Sequence, residues 1–167
     1  RLNINIVRPD INKCYADFSS DGKNFLYALG AIKNVGYEAI SKIVEERKMN
    51  GKFKDLSDFI KRVDPKNINK LQLEGLVKAG VFDNLNNNRQ SLFNSIPNII
   101  LKSKNIFENN SVNQIDLFNE ENDESYIENI EDWNIDNKLS KEFETLGFFI
   151  SDHPLNQYRS LYHQYNI

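Results

Sequence analysis

Cysteine, histidine and long apolar runs are scarce in this sequence. One cysteine, Cys14, in 167 residues cannot build a disulfide framework or a thiolate metal site, and it reads as a small buried side chain. The two histidines, His153 and His163, have no cysteine or carboxylate at ligand spacing, so no zinc site is assigned and His153 reads as a turn residue. No stretch approaches about 18 consecutive apolar residues and no signal peptide opens the chain, which predicts a soluble, cytoplasmic protein. Arg1 stands where an initiating methionine is expected, as in a piece of something longer.

Positive charge is missing from one whole region. Residues 1–104 carry 18 basic and 11 acidic side chains, net +7, whereas residues 105–137 carry no basic and 10 acidic ones, net −10. A basic body is thus joined to an acidic strap, and the body is either a solvated lysine-rich surface or a face for a polyanion. Catalytic patterns are also lacking. The carboxylates are scattered or gathered in the strap, and no Ser/His/Asp or Cys/His arrangement appears.

What is present is a mainly α pattern behind a short β prelude. Leu2 to Val7 alternates apolar and polar and stops at Arg8-Pro9-Asp10. Cys14–Phe18 and Asn24–Leu29, separated by Ser19-Ser20-Asp21-Gly22, read as a hairpin with Asp-Gly at its turn. From Gly36 the period becomes helical, with Ala39, Ile40, Ile43 and Val44 on one face and Gly51 as a stop. Asp55 caps a short helix carrying Leu56, Phe59, Ile60 and Val63, ended by Asp64-Pro65. Asn67 or Asn69 caps Leu71–Ala79, with Gly80 at its stop, and a further helix begins near Asn88, where Pro97 either kinks it or starts the next. Beyond Trp133, Leu139–Leu146 forms a helix closed by Gly147. Phe148-Phe149-Ile150 reads as a buried run, and Asp152 and Pro154 open a last helix.

The organising stretch is Ala28–Arg47, where an apolar run turns sharply into an amphipathic helix. At the turn, Ile32-Lys33-Asn34-Val35-Gly36 supplies a residue tolerant of left-handed geometry and a glycine at the helix start. The N–H groups of the first helical turn then point outward, a site for a phosphate, with the charge of Lys33 beside it. Leu76-Val77-Lys78-Ala79-Gly80-Val81-Phe82 is a degenerate echo of this bend. The competing reading of a short glycine turn is a plain connector without a ligand.

In the strap, Gln114-Ile115-Asp116-Leu117-Phe118 places a bulky Leu-Phe pair among acids and asparagines, without periodic neighbours to pack on. It reads as a peptide that docks in another protein's pocket, or as a pair that folds back on its own domain.

Taken together, Arg8-Pro9-Asp10-Ile11-Asn12, Tyr27–Gly36, Phe53-Lys54-Asp55-Leu56, Asn69-Lys70, Leu73–Phe82, Gln114–Phe118, Leu146-Gly147-Phe148 and His153-Pro154-Leu155 closely resemble the C-terminal half of the bacterial replicative DNA polymerase III alpha subunits. The resemblance covers essentially the whole chain, and the order and spacing of these pieces make it more specific than any one motif. It implies a tandem helix-hairpin-helix domain at residues 31–104, behind a β-hairpin at 1–30 leading from the fingers region. An acidic, flexible linker at 105–136 and C-terminal helices at 137–167, leading to an absent OB-fold, complete the expected organisation.

The resemblance also implies roles. Ile32, Lys33, Asn34, Val35 and Gly36, with Lys78 and Gly80 of the second bend, would grip double-stranded DNA by its backbone. Lys42 and Arg89 are further basic candidates. Gln114, Ile115, Asp116, Leu117 and Phe118 match the pentapeptide that binds the sliding clamp, and the remaining partners would be other polymerase III holoenzyme subunits. No cofactor is expected in this fragment, because the Mg2+-binding palm lies elsewhere in the parent nucleotidyltransferase. One departure stands out: helix-hairpin-helix turns commonly carry two glycines, and here Asn34 holds the first place. A clamp-binding helical module of an error-prone paralogue and a helix-hairpin-helix repair protein are the alternatives.

Overall fold

Local capping chemistry divides this chain into its elements. A computed structural model describes residues 5–112 and 124–152. Three short strands come first: β1 (Asn5–Val7), β2 (Ser19–Ser20) and β3 (Asn24–Leu26). The sheet order is β1-β3-β2, with β1 parallel and β2 antiparallel to β3. The Asp-Gly turn forms as expected: Asp21 Oδ1 accepts the Lys23 and Asn24 N–H groups at 3.0 and 2.7 Å. The first strand of that hairpin is Ser19–Ser20 rather than Cys14–Phe18, because the carbonyls of Tyr15 and Ala16 accept instead from Leu29 and Gly30. There the chain makes a single 3₁₀ turn, Leu29–Ala31.

Five α-helices follow among the described residues: α1 (Tyr37–Asn50), α2 (Leu56–Arg62), α3 (Lys70–Lys78), α4 (Arg89–Ser111) and α5 (Ile135–Leu146). Asp55, Asn88 and Asn134 each accept a backbone N–H three residues on, as N-caps do. Asn69 and Gln72 form a reciprocal capping box at the head of α3. Gly147 closes α5 in the left-handed region, where a side chain is disfavoured. Pro97 lies inside α4 and the helix continues through it to Ser111.

One core joins these pieces. Leu29, Ile32, Ile40, Ile43, Leu76, Leu92 and Ile96 are fully buried at its centre, and a chain of edge-to-face rings, Phe53–Phe59–Phe82, ties α2 to the turn after α3. Ile11, Cys14 and Ala16 belong to the same core, so the β prelude packs with the helical body across the boundary expected at residue 30. Arg47 of α1 fixes this junction by donating to the carbonyls of Ile11 and Cys14, both at 2.7 Å.

The expected strap is partly built into the fold. Residues 105–111 complete α4, and residues 124–134 run along that helix, with Tyr126 buried. The side chain of Ser95 accepts the Glu128 N–H, and those of Asn88 and Ser91 donate to the Ile130 and Glu128 carbonyls. These polar groups satisfy the backbone where apolar residues are sparse. Phe148-Phe149-Ile150 is more open than its composition implies: Phe148 lies exposed, edge-on to Tyr27, and Phe149 stacks on the exposed Phe143.

Candidate nucleic-acid interface

The bend between the 3₁₀ turn and α1 is anchored from below and open above. Ile32 and Val35 are buried and pin the loop into the core, while Lys33, Asn34 and Gly36 are exposed. Asn34 adopts φ 67° and Gly36 φ 79°, the two left-handed positions that let the chain reverse within five residues. Asn34 therefore fills the position usually given to glycine in the geometry expected of it.

Two neighbouring helices hold the bend. The Gln72 side chain donates to the Val35 carbonyl at 2.8 Å, and the Lys33 N–H donates to the Thr145 carbonyl of α5 at 3.0 Å. Gly75 in the middle of α3 lets the bend lie directly on that helix, since a Cβ there would meet the Lys33 carbonyl oxygen at 2.8 Å. A glycine inside a helical pattern is the signal from which this approach is legible. Gln72 and Thr145 carry no comparable signal.

The head of α1 is left available. Gly36 occupies its N-cap and no side chain caps the helix, so the N–H groups of its first turn face outward next to Lys33. A helix start of this kind presents the positive end of its dipole together with donors, the arrangement that suits a phosphate oxygen. Tyr37 and Glu38 are exposed in the same turn.

The second bend is built differently. Gly80 also has a positive φ, 76°, but it is buried, and a Cβ there would run into the Arg89 guanidinium. The amides of Ala79, Gly80 and Val81 all bond to carbonyls of α3. Lys78 pairs with Glu144 of α5 at 3.1 Å. The expected contacts at Lys78 and Gly80 are thus engaged within the protein, because α5 packs over this bend.

Arg89 corrects a sequence-based candidate. It is buried between Asp83, which it engages through both oxygens at 3.0 and 2.7 Å, and Glu142 at 2.6 Å. These two carboxylates outweigh the cost of burial and hold the guanidinium firmly charged. Burial would raise the Glu142 carboxyl, but Ser151 through side chain and amide, then Arg89 and the Ile150 amide, bring it below the usual carboxylate range. Lys42 is exposed and donates to Asn67 at 3.1 Å. Gln114–Phe118, and the helix expected after His153, lie outside the described residues.

A pinned bend opening onto an uncapped helix, followed by a short connector and a second helical pair, defines the architecture, and the helix-hairpin-helix motif family model matches residues 3–92. The chain belongs to that family. Along nearly its whole length it is also similar to bacterial DNA polymerase III subunit alpha, as the sequence implied. It is 39% identical to that of Rickettsia prowazekii over 98% of the chain. Identity is 37% with the Campylobacter jejuni protein and 35% with the Borreliella burgdorferi one, each over 95% of the chain. The match spans only 14% of each of these relatives' own length.

Proposed function

We propose that this chain is a non-catalytic segment of a bacterial replicative DNA polymerase that grips duplex DNA by its backbone and tethers the enzyme to its sliding clamp. The observation that carries the first half is the bend with Lys33, Asn34 and Gly36 exposed, leading into the uncapped head of α1. Outward N–H groups bond phosphate oxygens, Lys33 adds charge, and neither reads base sequence. Affinity that comes from displaced counterions falls steeply with salt. Titrating a duplex against the 167-residue chain at about 50 and about 200 mM salt tests this. Binding that weakens severalfold or more supports the grip, and no binding at the lower salt refutes it.

The tether rests on Gln114–Phe118, with Leu117 and Phe118 filling an apolar pocket, Gln114 bonding its rim and Asp116 shaping the backbone. Its acidic surroundings keep it off DNA. Polymerisation itself, the Mg2+ it uses and contacts with other holoenzyme subunits belong to the whole protein in this proposal. Among the described residues no group of three or more His, Cys, Asp or Glu is placed to hold a metal ion, so no step is assigned to one here. The chain fits cytoplasmic replication. A purely protein-binding module, such as that of an error-prone paralogue, would bind the clamp and ignore DNA in the same titration.

A further inference from the structure

A second basic surface lies beside the bend, away from the buried turn at Gly80. Between the connector after α2, the head of α3 and the side of α4 runs a groove of about 490 Å³. Three lysines line it, Lys66, Lys70 and Lys104, together with the amide side chains of Asn67, Asn69 and Gln72, and no carboxylate does. All three lysines are exposed. The nearest acids stand outside: Glu74 lies 3.8 Å from the Lys70 ammonium, while Asp64 and Glu108 line the adjoining depression that shares Lys66 and Lys104.

Gln72 makes the groove continuous with the bend, because its side chain lines the groove and also bonds the Val35 carbonyl. The lysines supply charge and the Asn67 and Asn69 amide groups supply hydrogen bonds to an anionic strand without any preference for bases, while the Gln72 side chain is held by the Asn69 backbone amide and the Val35 carbonyl. A groove free of carboxylates concentrates that attraction, since no fixed negative charge within it opposes a phosphate.

We infer that this groove is a second backbone contact, in which Lys66, Lys70 and Lys104 hold the phosphates of a nucleic-acid strand as it continues past the bend. It rests on the reading of the bend as a DNA grip, and it gives the chain the second point of hold that the buried Gly80 turn does not offer. One contact lets a duplex pivot, whereas two fix its direction across the domain.

The test compares salt dependence of duplex binding for the 167-residue chain and three variants. These are the groove variant Lys66→Gln/Lys70→Gln/Lys104→Gln, a control Lys13→Gln/Lys23→Gln/Lys52→Gln that removes equal charge elsewhere, and Lys33→Gln at the bend. Thermal unfolding confirms that each folds. Every phosphate left without its lysine makes the negative slope of log affinity against log salt shallower by about 0.9, so its magnitude is expected to fall by about 2 to 3 in the groove variant and by less than about 1 in the control. Equal falls in groove and control variants, or an unchanged groove slope, overturn the inference. An unchanged slope in Lys33→Gln together with a shallower one in the groove variant takes the Lys33 charge out of the grip and keeps the groove as the ionic contact, whereas no duplex binding by the unaltered chain at low salt overturns the reading of the bend itself.

Discussion

Arg89 and Glu142 stand 53 positions apart and meet inside the protein, at the point where α4, α5 and the buried bend converge. Removing Glu142 leaves Arg89 its bidentate partner Asp83 but takes the acceptor from the Ile150 and Ser151 amides, which costs on the order of 1–3 kcal/mol. Glu142→Ala is therefore expected to lower stability by about that amount in urea unfolding at neutral pH. The pH dependence has a definite sign. Glu142 titrates below its ordinary value in the folded protein, so its stabilisation is complete above the unfolded value of about 4.3 and is lost as pH falls through the lower folded value. Unfolding followed from pH 6 down to 3 should show a shallower decline in Glu142→Gln than in the unaltered chain.

The elements around the bend explain its rigidity and give two further expectations. Gly75→Ala gains helix propensity of about 1 kcal/mol but drives a Cβ into the Lys33 carbonyl region at 2.8 Å. Backbone does not yield cheaply, so a net loss of about 1–2 kcal/mol in thermal unfolding is expected, with weaker DNA binding as the bend is displaced. Glu38, exposed in the first turn of α1, complements the helix dipole in the free protein but opposes an arriving phosphate. Glu38→Gln is expected to tighten duplex binding a fewfold at low salt, measured by fluorescence anisotropy. At this scale much of the structure was legible. The caps at Asp55, Asn69 and Asn88 and the stops at Gly51 and Gly147 depend on residues a few positions away, so local pattern suffices; the Asn134 cap was missed, and α5 starts at Ile135 rather than Leu139. The burial of Gly80, the pairing of Arg89 and the packing of residues 124–134 on α4 depend on partners dozens of positions distant. No periodicity reports those.

Across the whole molecule, charge separates the two regions to which the proposal gives its two tasks. The basic body carries the bend and the groove, and the acidic strap carries the pentapeptide. Weak contacts on one chain reinforce each other through effective concentration, which is how a modest grip and a short tether would sustain processive synthesis. Leu117→Ala/Phe118→Ala is expected to abolish clamp binding in a pull-down while leaving duplex affinity unchanged; loss of both together would assign these side chains to folding. The resemblance carried by ordered motifs foretold the family and the place of the bend. It did not foretell that only one of two similar bends stays open, because that follows from where α5 comes to rest. The central claim is that backbone amides at the head of α1 meet DNA phosphates. Amide-resolved NMR of the 167-residue chain titrated with a duplex tests it most directly. The account predicts the largest shifts at Asn34, Gly36, Tyr37 and Glu38, while a duplex that binds and leaves those four amides unmoved contradicts it.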